Sequence, residues 1–170
     1  FQLTEAEVQG RQQIKTAFNF LKKYIPGFEQ AYILTTPSKI GVRETRHIIG
    51  EYVLTFEDIA KKRYFNDTIA LSGFPIDIHS PDGSALNLPE IDESEPIPIP
   101  LRSLIVKGLD NLLVAGRCMS ATHEACAAIR TIPTVMAVGQ AAGVMASLYC
   151  KQEKPLKNIS VEKVQTLLIY

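Results

Sequence analysis

The sequence predicts a mixed α/β fold in two lobes: an antiparallel-sheet lobe with an N-terminal helix over residues 1–100, then a strand–loop–helix unit over 101–170. Three observations predict it. The candidate strands of the first lobe alternate apolar with polar residues, as a sheet with one wet face requires. Asn111-Leu112-Leu113-Val114-Ala115 is instead continuously apolar up to Gly116, which suits a strand covered on both faces. Between the two, Leu88 to Pro100 is acidic and then proline-rich, so it forbids helix and reads as the seam.

Taken in order, Leu3-Thr4-Glu5-Ala6-Glu7-Val8 opens an amphipathic helix, with Thr4 and Glu7 spaced as a capping box and Leu3 as a staple to Val8. Val8, Ile14, Ala17, Phe18, Leu21 and Ile25 keep helical spacing, and Pro26-Gly27 ends the run. That stripe predicts packing on one face. Phe28 to Thr36 reads as a strand and Gly41 to Leu54 as extended. Thr55-Phe56-Glu57-Asp58 opens a short helix reaching to about Tyr64, by the same capping logic. Thr68–Ser72 and Phe74–His79 read as strands, Ser80 to Ser84 as a turn, and Leu101–Val106 as a strand ending in the Lys107-Gly108 turn. An irregular loop follows Gly116. Pro133 then sits in the first turn of a helix, where its missing N–H costs nothing, and that helix runs from Val135 to Tyr149. Ser160 caps a last helix with Lys163 behind it.

The helix from Val135 to Tyr149 has almost no polar face, which predicts burial. Gly139 and Gly143 lie one turn apart, and each costs about 1 kcal/mol against alanine. Something is therefore expected to approach that face closely. Sheet backbone and a ligand remain equally open on these residues alone.

Composition removes several classes. Lys plus Arg and Asp plus Glu are both 18, so the chain carries no net charge to attract nucleic acid or an anionic membrane surface. No run of about 20 apolar residues predicts a membrane span. Cys118, Cys126 and Cys150 are odd in number and lack C-x-x-C spacing, which argues against a disulfide framework and against a zinc site; no metal is expected. Unpaired thiols favour a reducing, cytoplasmic setting. Phe1 is not a natural start and no signal pattern follows it, so the native N-terminus reads as missing and localisation as unknown.

The run Gly108-Leu109-Asp110-Asn111-Leu112-Leu113-Val114-Ala115-Gly116-Arg117, then His123, Arg130 and Met136-Ala137-Val138-Gly139-Gln140-Ala141-Ala142-Gly143, resembles the C-terminal signature of FAD-dependent oxidoreductases. The likeness is to the family whose FAD-binding fold is shared with glutathione reductase and fumarate reductase flavoproteins. Ile40-Gly41-Val42-Arg43-Glu44-Thr45-Arg46 and Ile48-Ile49-Gly50-Glu51-Tyr52 resemble its substrate-side segment. The resemblance implies that residues 101–170 belong to a Rossmann-like FAD domain. It further implies that FAD is held in part by Gly116, Arg117, Thr131, Ile132, Pro133, Thr134 and Gly139. No G-x-G-x-x-G occurs in these residues, so the chain reads as a C-terminal part whose cofactor is completed by an N-terminal FAD-binding part.

His123 and Arg130 match the histidine and arginine that face substrate in fumarate reductase-like relatives, although Thr131-Ile132 stands where those relatives carry a glycine pair. Arg43 and Arg46 offer a cationic wall for a small polar or acidic substrate, since guanidinium holds a carboxylate bidentately. The same residues also fit a solvated strand face with Glu44 paired to Arg46. His79, in Asp77-Ile78-His79, is a further candidate by the resemblance. Two function classes follow: an oxidoreductase passing a hydride between FAD and a small polar substrate, or a non-catalytic interaction domain that lacks the cofactor site. Apolar surface left by a missing lobe would favour self-association.

Overall fold

A computed structural model describes residues 2–78, 94–152 and 154–168. The expected Ser80–Ser84 turn and His79 lie outside the described residues. Among the described residues the fold is mixed, with helices dominating and one small antiparallel sheet. Contacts divide the chain into two compact units, Phe1–Val42 and Arg43–Tyr170.

The first unit is helix α1, Gln2–Tyr24, with the strap that follows it. Thr4 lies inside the helix rather than capping it. None of the residues of α1 is buried; Ile14, Phe18 and Leu21 are half-covered, whereas Val8, Phe20 and Tyr24 are exposed. The expected packed face is only partly realised, because a unit of this size has too little chain to cover it. What holds the strap is polar: the Ile40 N–H donates to Glu7 Oε1 at 2.6 Å, and Arg11 donates to Thr36 Oγ1 at 3.2 Å. Phe28–Thr36 is not a strand. It has no ladder partner among the described residues, and Tyr32 and Leu34 are exposed.

The second unit carries the core and the sheet. Helix α2, Phe56–Ala60, has the predicted capping box, with Thr55 accepting from the Asp58 N–H and Asp58 accepting from the Thr55 N–H. It stops short of Tyr64 because Lys62 takes a positive φ of 49° and the Arg63 N–H turns back to the Asp58 carbonyl. Strand β1, Thr68–Ser72, pairs antiparallel with β2, Ile97–Pro100. Ile97–Pro100, the end of the proline-rich stretch expected to be a seam, is therefore a sheet strand inside this unit. Two prolines are tolerated because, among the described residues, β2 is an edge that pairs on one side only. Phe74–Ile78 forms no strand, and Leu101–Ser103 is a 3₁₀ turn rather than the start of one. Asn111–Ala115 is likewise no strand; only Leu113 bridges, to Ile105.

The stretch read as an irregular loop holds helix α3, His123–Ile129, capped by Thr122. Ala125, Ala127 and Ala128 are strong helix formers, and they are buried with Cys126 and Ile129. Helix α4, Ile132–Gln152, packs on β1 and on α5, Val161–Leu167, with Thr134, Val138, Ala141 and Met145 buried. Thr134 donates to Ser72 Oγ, which donates to the Ala128 carbonyl, so one hydroxyl relay ties α4, β1 and α3. Burial all round is not observed: Ile132 and Met136 are 74% and 68% exposed. Gly139 and Gly143 face open space, where an added Cβ would meet nothing within 4 Å. By length and hydropathy alone α4 could cross a membrane, but one of its faces is committed to the core described here.

The segment Ile48–Thr55 is neither strand nor helix, yet it laces the unit together. Glu51 and Tyr52 donate to the carbonyls of Ile105 and Arg102, while Ile48 and Leu54 donate to those of Cys118 and Ser120. Gly50 makes this possible. A Cβ there would stand 2.8 Å from Ser120 Cβ, 3.1 Å from the Tyr52 carbonyl oxygen and 3.2 Å from that of Arg102. Gly50→Ala should therefore force the backbone apart and lower stability by about 1–3 kcal/mol, seen as a lower urea midpoint at unchanged slope.

Candidate functional site

The lacing sets Arg43, Glu44 and His47 beside the turn that leads into α3. Glu44 is the hub. Its Oε1 lies 2.9 Å from His47 Nε2, and its Oε2 lies 2.8 Å from His123 Nδ1 and 3.8 Å from Arg130 Nη1. His47 Nδ1 is 2.9 Å from the Met119 carbonyl oxygen. Arg130, at the C-terminal end of α3, donates to the Asp77 carbonyl at 2.8 Å, and Arg43 pairs with the Asp77 carboxylate at 3.7 Å. The Glu44 and Arg130 side chains are only 17% and 13% exposed, whereas that of His123 is 58% exposed. The site is a shielded charge cluster with one histidine reaching into solvent.

Burial pushes the Glu44 carboxyl upward, but hydrogen bonds from His47 and His123, with the electrostatic pull of the two rings, outweigh it and hold the group below its ordinary value. Cys126 lies close by. Burial first, and then the negative charge of Glu44, push its thiol up to about 11, so it stays protonated and inert. Donor atoms of Glu44, His47 and Cys126 fall within 4.8 Å of one another. The Glu44 oxygens are already held by two histidines with an arginine alongside, so the arrangement reads as a hydrogen-bonded hub.

Of the residues singled out in the sequence, Arg43, His123 and Arg130 come together here. Arg46 is exposed and stands apart from the Glu44 contacts; the expected Glu44–Arg46 pairing is replaced by the two histidines, because the segment is not a regular strand and its side chains do not alternate. Sequence reasoning missed Glu44 and His47 as members. The signal was present as an acid and an imidazole three residues apart, but nothing local showed that α3 would supply their partners. Gly116 takes φ of 104°, and a Cβ there would meet nothing within 4 Å. Arg117 is exposed, and its carbonyl accepts from the Cys126 thiol. Thr131 and Thr134 hydroxyls lie 3.0 Å apart, and Thr134 turns inward. Ile132, Pro133 and Gly139 lie exposed along α4.

The chain belongs to the FAD dependent oxidoreductase family. The family model matches residues 1–168, which assigns the chain to a flavoprotein redox family. No curated protein and no solved structure matches it. The residues present fit part of an FAD site: Gly116 leaves its backbone open to approach, and the glycine face of α4 is bare beside the apolar Ile132 and Met136. The first turn of α4, exposed at Ile132 and Pro133, adds a dipole of about half a positive charge.

Removing the hub should cost stability. Glu44→Ala is expected to lower it by about 1–3 kcal/mol at pH 7, since His47, His123 and Arg130 lose the carboxylate they share. Because the folded-state value of Glu44 is depressed, its contribution is complete above the unfolded value of about 4.3 and is lost as pH falls through the folded value below it. Urea melts of the two proteins should therefore converge as pH drops below about 4.

Proposed function

We propose that this chain forms the substrate-facing part of a flavoprotein oxidoreductase that passes a hydride between FAD and a small polar substrate. The observation that carries the reading is Glu44 standing between His47, His123 and Arg130. A packing domain has no use for a carboxylate that orients an exposed imidazole. Arg130 supplies fixed positive charge beside that imidazole, suited to a carboxylate or carbonyl oxygen of the substrate. With Nδ1 donating to Glu44, His123 keeps Nε2 for proton exchange with substrate.

FAD, when bound, supplies the two-electron redox chemistry. Gly116, Arg117, Thr131, Ile132, Pro133 and Gly139 are the residues that would hold it. Thr134 would support them from within. A small polar acid or hydroxy compound is the substrate class that one fixed cation and one proton-exchanging group select.

Two experiments test the reading. In the flavoprotein that contains this chain, His123→Ala should slow flavin reduction or reoxidation by a responsive small acid by about 10²–10⁴-fold, with flavin binding unchanged. Equal rates in variant and parent would sink the assignment of His123. Separately, the 170-residue chain mixed with FAD and desalted should keep little visible flavin absorbance, because it lacks a glycine-rich turn for the pyrophosphate. Stoichiometric yellow protein would instead place the whole cofactor site in these residues. A colourless protein together with an inert His123 would favour the non-catalytic interaction domain.

A further inference from the structure

The site contains a ring whose two nitrogens both face acceptors. His47 Nδ1 lies 2.9 Å from the Met119 carbonyl oxygen, which can only accept. Its Nε2 lies 2.9 Å from Glu44 Oε1. A neutral imidazole has one N–H and one lone pair, so it satisfies only one such neighbour. Either Glu44 is a neutral acid donating into the ring, or His47 carries hydrogen on both nitrogens.

The surroundings decide between these. The other Glu44 oxygen faces His123 Nδ1 at 2.8 Å and Arg130 at 3.8 Å, and both neighbours favour a carboxylate. The charged and titratable groups around the ring are Arg43, Glu44 and Arg46 on its own segment, Asp77 beside Arg43, Arg117 and Cys118 in the turn, and His123, Cys126 and Arg130 from α3. Asp77 is engaged with Arg43. Glu44 is thus the acceptor that both histidines share.

We propose that His47 is the positioning residue of this site: anchored on the Met119 carbonyl and carrying both ring hydrogens, it holds Glu44 as a carboxylate and so fixes His123 with hydrogen on Nδ1 and a bare Nε2. The proposal rests on the functional reading only in what that bare Nε2 is for. Along the order Met119 carbonyl, His47, Glu44, His123, His47 donates on both sides and Glu44 accepts from both rings, so every donor meets an acceptor. His47 never touches substrate. It acts by setting which nitrogen of His123 is free.

Histidine ¹⁵N spectra of the intact chain at neutral pH test this without flavin or substrate. The sequence has three histidines, so assignment needs few variants. His47 should show two protonated nitrogens, and His123 should show Nδ1–H over Nε2–H by about tenfold or more, the bias a charge-assisted hydrogen bond provides. His47→Ala should erode that bias about tenfold, while His47→Gln, whose amide can still donate to Glu44, should preserve it. A bare nitrogen on His47 in the parent chain would overturn the proposal. So would an unchanged His123 in a His47→Ala variant with a native amide spectrum. Should the alanine variant not fold, the parent ring and the glutamine variant decide, and loss of the His123 bias in the latter also overturns it. A failed His123→Ala turnover test would overturn the functional reading while leaving these ring states as they are.

Discussion

The larger unit depends on one narrow gap. Gly50 lets the backbone of Ile48–Leu54 pass between two returning stretches, at a separation no side chain at that position would allow. Its N–H groups reach carbonyls on one side at Arg102 and Ile105, and on the other at Cys118 and Ser120. Gly50 bridges Val106, and Leu54 bridges Ala121. These are isolated bridges rather than ladders. The segment therefore satisfies its buried polar backbone from two directions without joining a sheet. Because Glu44 and His47 precede it by a few residues, the same lacing that builds the core delivers them to α3.

The described carboxylates of low exposure follow two patterns, and the contrast separates support from chemistry. Asp58 accepts from Thr55, Tyr52 and Arg63, and Asp67 accepts from Arg102 through both oxygens. Burial raises the Asp58 carboxyl, yet the hydrogen bonds from Arg63, Thr55 and Tyr52 hold it low. Each is a saturated structural ion pair. Glu44 differs in kind, since two of its partners are imidazoles and one of them reaches solvent. A carboxylate that orients a titratable, exposed group can bias chemistry; one that clamps an arginine cannot.

Helix α4 shows how composition and placement part company. Its apolar residues are enough to suggest burial on every side, but the described chain covers only the Thr134, Val138, Ala141 and Met145 face. The outer face combines bare glycine backbone with exposed Ile132 and Met136.

Local chemistry was legible in the sequence wherever short-range rules govern. The Thr55–Asp58 capping box, β1 at Thr68–Ser72, the Gly108 turn, the long helix after Pro133 and the Ser160 cap all follow from residues within four positions of one another. The family signature was legible too, because it is a contiguous run. Asn111–Ala115 and Leu101–Val106 have strand composition, yet become bridges and a 3₁₀ turn because a strand exists only where a partner aligns. Ile97–Pro100, at the end of the proline-rich stretch, became β2 for the converse reason, that an edge partner was available. The Glu44 hub was invisible for the same cause. Glu44 and His123 are separated by 79 positions, and only a fold that carries the chain through the Gly50 gap brings a carboxylate and two imidazoles within hydrogen-bonding distance.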